Sequence, residues 1–540
     1  MRTGTSDQLR FMLALVLTVL LVACGDTADD TTDTTDTTDT TDTTDTTDTT
    51  DTTDTTDTTD DETITVPETY VFTSQFDDNA GESNVAYTGQ IARHVLISEM
   101  VSAIDGMTAD LDGGTAVDAA AVLSGLYEHD SDTVPELPIS MSTGEDTPVL
   151  QANLDEISTG KNLKGKVAGE DFDFTGFGGW SLATTATGAA PTSANELIQE
   201  FFTLLGALAT DRLNGTIPTD PGGSPVSAVY LNGSGHDFKQ LLQKFLLGAV
   251  TLSQGLGDYL YNITSKDNVD PYKGTKNYTA MEHAWDEAFG YFGAARNYSE
   301  YTDDEIAGKG GRDAWQKYYD TDGDGKIDLT SEYNFGNSVN AAKRDRGADP
   351  ATDFTADAFK AFARGRAIIN AHVGTAYDDW SAASKEDLTA QVVAVQAAWE
   401  KAVAATVVHY INDTLGDMGK FDTAEYSYSS HAKHWGELKG FALGLQFNPW
   451  SPLHDELGAT CYDASTYAAT TTAEADCVGT DYIWAPAQTG FARIHTFVGD
   501  APVLPSGDAT AIAAYQKKLA IVSAIMGTAY DFDAANVANW

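Results

Sequence analysis

Positive charge is scarce in this chain. Its 540 residues include 31 Lys and Arg against 81 Asp and Glu, a formal charge of −50 at neutral pH. Such a deficit excludes a nucleic-acid partner, whose phosphates need a basic footprint, and it opposes electrostatic docking on anionic lipid. It suits a secreted or surface protein, or one that collects cations. Cysteine is scarcer still, at three residues, which excludes a disulfide-dense scaffold and a cysteine-rich zinc module. The phosphate-binding loop, the dinucleotide-binding glycine pattern, the Gly-x-Ser-x-Gly elbow and the His-Glu-x-x-His zinc-protease spacing are all missing, so the chemistry each supports has no foothold. What is plentiful is apolar material, 42% of residues with 10% aromatic, enough to build a large core.

The first residues read as an address. Arg2 and Arg10 precede an apolar run from Phe11 to Val22, shorter than the ~20 residues a spanning helix needs and built like a secretory signal. Leu21-Val22-Ala23-Cys24 resembles the bacterial lipobox, in which Cys24 carries the lipid and begins the mature chain. A plain signal with an incidental cysteine is the alternative. Paired acyl chains anchor stably to a membrane. Gly25 stands where an Asp would suggest retention in an inner membrane, so the expected destination is the outer membrane or cell surface of a bacterium. Residues 25–62 follow as an acidic stalk, with ten Thr-Thr-Asp units at 31–60. Without large apolar side chains this stretch is expected to stay disordered, and like charges at every third position keep it extended. Residues 26–62 hold fifteen acids and no Lys or Arg, and residues 1–25 are +1, so the body from 63 to 540 carries −36 of its own.

In that body, apolar residues recur at three- and four-residue spacing over Ala86–Met107, Thr192–Leu213, His236–Asn262, Tyr278–Arg296, Ala356–His372, Lys385–Met418, Tyr426–Phe447 and Ala509–Tyr530, which predicts helices. Alternating strand patterns are brief, near Thr63–Thr73 and Ala228–Leu231. The expected fold class is mostly α: one or two helical bundles with long loops and an inserted EF-hand-like calcium loop. Cys461 and Cys477, an even pair in an exported protein, are expected to form a disulfide around an Ala-, Thr- and Asp-rich loop.

The strongest chemical motif is Asp320-Thr321-Asp322-Gly323-Asp324-Gly325-Lys326-Ile327-Asp328. Calcium takes six to eight oxygens at flexible distances, and a loop of this kind has acids at positions one, three and five, Gly at six and a backbone carbonyl at seven. Asp320, Asp322, Asp324 and the Lys326 carbonyl fall in that register. Ile327 at eight would pack inward and Asp328 at nine could ligate directly or through water. Position twelve is Ser331 rather than an acid, and Glu332 lies one step later. Trp315–Tyr319 is the candidate entering helix. The alternative is an acidic Asx-type turn without metal.

Two further clusters pair histidine with carboxylate at helical spacing: His283 with Asp286 and Glu287, and His434 with Glu437. A His and an acid on one helix face can form half of a transition-metal site for iron or zinc, and a second such helix can complete it. The competing reading is a pair of packed histidines, each oriented by a neighbouring acid.

Four stretches carry a resemblance: Tyr87–Arg93, the Tyr278–Gly293 segment around Met281-Glu282-His283-Ala284-Trp285, the run from the calcium loop into Ser331–Gly336, and His434–Pro449. They resemble the bacterial lipoprotein family called domain of unknown function 4856 over roughly Tyr70 to Trp540. That family brings no established activity. More distantly the chain resembles imelysin-like proteins, helical surface proteins tied to iron uptake and once described as peptidases, whose motif is Gly-x-His-x-x-Glu. His434 and Glu437 match its end, but Ala432 replaces the Gly, and His283, followed by Asp286, lacks the Gly as well. Two classes of function follow. One is a lipid-anchored binding protein with structural calcium, serving metal or iron acquisition through iron, haem, an iron carrier or an outer-membrane transporter as partner. The other is a metal-assisted hydrolase using His283, Glu287, His434 and Glu437, which requires those side chains to converge. A purely structural surface protein is the blander option.

Overall fold

The computed structural model describes residues 64–540 apart from 144–146, 171, 173, 175, 182–185 and 187. The expected signal, the lipobox Cys24 and the Thr-Thr-Asp stalk lie outside the described residues. Helices dominate, most of them started by a side chain that satisfies a free first-turn amide. α1 (Thr88–Asp112), α2 (Ala119–Tyr127) and α3 (Ala194–Leu213) come first, the last two capped by Asp118 and Ser193. α4 (Phe238–Leu246), capped by Asp237, runs straight into a wider π-helical stretch, Leu247–Leu260. α5 (Ala280–Phe292) opens on a reciprocal capping box between Thr279 and Glu282 and stops at Gly293, which takes the left-handed conformation that favours glycine. α6 (Asp303–Ala307), α7 (Gly336–Asp345), α8 (Phe354–Ala371), α9 (Ala382–Met418) and α10 (Tyr428–Gly444) follow. α11 (Gly490–Val498), α12 (Ala509–Tyr530) and α13 (Ala534–Asn539) complete the set.

α9 has 37 residues, roughly 55 Å at 1.5 Å per residue. It packs along α8, α10, α12 and α7, and α10 packs in turn on α4. α5 lies between the π-helical stretch and α8, and α1 to α3 pack on one another. Trp285, Trp399 and Trp435, one each from α5, α9 and α10, are fully buried. The helical class is as the periodicity predicts, and all eight predicted segments contain an observed helix. α2, α6, α7, α11 and α13 were not anticipated; short helices offer too few turns for a period to stand out.

Among the described residues the predicted strands do not form as strands. The first segment contributes one isolated bridge, Thr73 to Ser83, and the second one bridge, Leu231 to Asp237. The β-structure is instead in the disulfide region. β1 (Glu456–Leu457) pairs antiparallel with β5 (Gln488–Thr489), and β2 (Thr460–Asp463) is flanked by β3 (Ala469–Thr470) and β4 (Tyr482–Ala485) in a three-stranded antiparallel sheet. Cys461 on β2 is joined to Cys477, so the predicted disulfide is present. Arg493 of α11 is buried beneath this sheet and donates to the carbonyls of Leu457, Gly458 and Pro486 and to the Tyr462 hydroxyl. All these elements belong to one unit, Val66–Trp540.

Candidate functional site

Asp320, Asp322 and Asp324 present carboxylate oxygens within 4.8 Å of one another. Backbone amides preform the loop: Gly323 and Gly325 donate to the two oxygens of Asp320 at 2.7 and 2.8 Å, Asp324 to Asp322, and Lys326 to Asp324. Gly325, at the turn position, has φ +81°, a conformation strained for any side chain. Ile327 is buried and makes a parallel bridge with Val149, its amide bonding the Pro148 carbonyl at 2.9 Å. Hydrophobic anchoring of position eight is thus as expected, but its partner is an unrelated loop.

The two other acids expected at the loop lie apart from this cluster. Glu332 is buried and its carboxylate is spent on the protein: one oxygen accepts from the Thr321 amide at 2.6 Å and its hydroxyl at 2.5 Å, the other from the Asp328 amide at 2.8 Å. It ties the start of the loop to its end. Asp328 accepts from Gln151, Thr330 and Ser331. Burial pulls its pKa up, but those donors outweigh burial and hold the carboxyl below its usual value. Neither acid joins the cluster of three. The entering helix is also absent. Lys317 sits at φ +72°, Tyr318 bridges Tyr333 antiparallel, and Trp315 stacks on Tyr319 with ring centroids 3.8 Å apart. The loop therefore hangs from a strand-like clasp, not between two helices.

The histidine clusters separate. Asp286 is fully buried and makes no bond to His283: it accepts from the Tyr70 hydroxyl at 2.8 Å, from Arg366 at 2.9 Å and from the Ala86 amide at 3.0 Å. Arg366 also holds Glu282 at 2.8 Å, making a buried triad of one cation and two acids. His283 packs beside the rings of Tyr272 and Tyr278, bonded to the Ala86 carbonyl at 2.9 Å and 3.7 Å from Glu287. His434 is taken by Asp417 of α9 at 2.7 Å, with Asp413 at 3.8 Å. Glu437, expected beside it, turns to Lys244 of α4 at 3.4 Å. His283 and His434 share none of these neighbours. Among the described residues the three aspartates are the one group placed to hold a metal. The convergence that a hydrolase would need is not formed, because each carboxylate found a closer cation or amide on an adjacent helix.

His283 and Glu287 do line something else: a recess of about 610 Å³ bounded by the start of α1, the loop 158–166, the end of the π-helical stretch, the loop 266–278 and α5. Its other walls, Arg93, Lys161, Lys166, Lys266, Lys273 and Lys276 with Tyr259, Tyr272 and Tyr278, were missed from sequence. The available signal was the lysine density of two short stretches, Lys161 to Lys166 and Lys266 to Lys276, in a chain otherwise poor in cations.

A family model described as Domain of unknown function (DUF4856) matches residues 67–447. The match ends at Phe447, before the disulfide-bearing sheet and α11 to α13. No curated protein and no solved structure matches the chain.

Proposed function

The chain belongs to the family of domain of unknown function 4856, and we propose that it is a tethered binding protein whose helical body is stabilised by calcium. In this reading a lipid on Cys24 anchors the chain at the outer membrane or cell surface of a bacterium. Residues 25–62 act as a spacer, and the body serves as an accessory protein in metal, particularly iron, acquisition. The observation that carries the calcium part is the convergence of Asp320, Asp322 and Asp324 in a loop closed at both ends by Glu332. Hard oxygen donors and a glycine turn suit calcium rather than a thiolate- or imidazole-seeking metal. The ligand set is three carboxylates and the Lys326 carbonyl, completed by water. With only three acids, affinity belongs in the weak extracellular class, about 10⁻⁴–10⁻³ M. Calcium there would supply positive charge to a body of −36 and hold the clasp shut.

For the metal-acquisition part, the separation of His283 from His434 supports a chelated or carried metal as cargo rather than bare iron or zinc held between them. The test is thermal unfolding of the purified chain with calcium, magnesium or chelator. Millimolar calcium should raise Tm, and Asp322→Ala with Asp324→Ala should abolish the rise. A Tm indifferent to calcium up to about 10 mM, ten times the weak end of that class, would overturn the calcium reading. Expression unaltered by iron limitation would overturn the acquisition role.

A further inference from the structure

The recess beside His283 concentrates cations in a protein that has few. Six of the chain's 31 Lys and Arg line it, against one of its 81 acids, Glu287. Net repulsion should scatter such groups over an acidic surface, where each finds a carboxylate. Instead Lys161, Lys266, Lys273 and Lys276 form no ion pair among the described residues. Glu287 does not neutralise them: one of its oxygens accepts from Gln90 at 2.8 Å and from the Tyr259 hydroxyl at 3.2 Å.

The charges are also placed. Arg93 is nearly buried, its Nε bonded to the Asn162 carbonyl and one amino group to that of Gly89. The Lys161 stem lies against the backbone of Gly89, close enough that a Cβ there would meet its Cε at 2.9 Å. Lys166 sits over the Tyr259 ring at 5.6 Å and Lys273 over Tyr272 at 5.0 Å. Burial, and then the closeness of Arg93, Lys166 and Lys273, hold Lys161 below the usual lysine range, with Glu287 pulling the other way. Thr88 and Gly89, in the first turn of α1, form part of the same wall, and the side chain of the preceding Tyr87 makes no cap bond. That end of the helix adds a partial positive charge to the recess. Tyr272, His283 and Tyr278 cluster as an aromatic part of the lining, with centroids 5.3, 4.9 and 6.1 Å apart.

We propose that this recess is a binding site for a small organic polyanion, a sugar carrying two or more phosphate groups. The cations take the charged groups and the Tyr272–His283–Tyr278 cluster takes the ring. The volume is that of a small-molecule site. This assignment stands apart from the calcium reading, since it uses none of the residues of the 320–332 loop.

The test is calorimetry and thermal unfolding of the purified full chain in low salt, with fructose 1,6-bisphosphate as probe and inorganic phosphate and fructose as comparators. The bisphosphate should bind and raise Tm, weaken as salt is added, and exceed inorganic phosphate at least tenfold, while fructose does nothing. Lys161→Ala and Lys273→Ala should each lower affinity at least tenfold with an unchanged circular dichroism spectrum. Gly89→Ala, which displaces the Lys161 side chain without altering charge, should weaken binding as well. Lys517→Ala, on α12 and outside the lining of the recess, should leave it unaltered. Absence of binding at low salt, equal binding by Lys161→Ala and Lys273→Ala, or inorganic phosphate binding as tightly as the bisphosphate would each overturn the proposal.

Discussion

Asp286 shows how a side chain's spacing and its partner can part company. At i+3 from His283 it was a natural companion, yet in the fold it is clamped by Arg366 from α8, which reaches Glu282 with its other edge. All three side chains are essentially inaccessible. A guanidinium matches two carboxylates at once through its planar donor fork, which an ammonium cannot do. Removing the cation strands two acids in the core. Arg366→Ala is therefore expected to destabilise by about 3–5 kcal/mol, read as a shift in urea midpoint, and Arg366→Lys should recover only part of the loss. A cost under about 1 kcal/mol would mean the acids simply protonate or find water. At the same scale, Gln90 and Tyr259 explain why Glu287 can stay near His283: their donors occupy the oxygen nearest the ring.

Among the elements, the long helices were legible because several independent signals agree. Apolar periodicity and a Ser, Thr or Asp cap mark the same starts in most of them, and a glycine follows the last turn of α5 and α9. The π-helical run Leu247–Leu260 is different. Sequence predicts one helix over His236–Asn262, and the chain is helical there, but its widened turns follow from packing. Gly248 meets Gly444 of α10 so closely that a Cβ would lie 2.3 Å from its Cα, and Gly255 receives the Trp399 ring. Gly248→Ala should thus force two backbones apart and cost about 1–3 kcal/mol or more. Gly416→Ala, in α9 with open space around it, should instead stabilise by about 0.5–1 kcal/mol through better helix propensity. Denaturant unfolding of the two variants side by side decides the matter; losses of equal size would show that propensity, not contact, sets both. The clasp that carries the acidic 320–328 loop belongs to the same scale. Its acidic register is local and readable, whereas its suspension from Tyr318 and Tyr333 and its anchoring on Val149 are long-range.

Over the whole molecule, buried neutral histidines set the response to acid. Burial lowers His94 and His431 to about 4, and burial followed by Arg344 lowers His409 to about 4, from an ordinary 6.5. The unfolded chain takes up these protons below pH 6.5 and the folded chain refuses them until about 4, so stability is intact above 6.5 and drains away as pH falls through that window. Each such group contributes a slope of about 1.4 kcal/mol per pH unit. Urea midpoints should decline from pH 6.5 to 4, less steeply than the histidines alone would give, because burial raises Asp237 and Asp303 to about 6 and the fold takes up those protons first; His431→Gln should flatten the decline by roughly one group's share, and a slope unchanged by that substitution would contradict the burial of that ring as a neutral species. Composition and periodicity by themselves determined the mostly helical class, the acidic character, the cysteine pair and the register of Asp320, Asp322 and Asp324, since all of these are written within a few residues of chain. Only the tertiary structure decided that His283 and His434 stay apart, that Asp328 and Glu332 leave the acidic cluster, and that lysines from two loops meet Arg93 around one recess. Partner choice depends on which elements are neighbours, and that is fixed by the packing of the whole core rather than by local spacing.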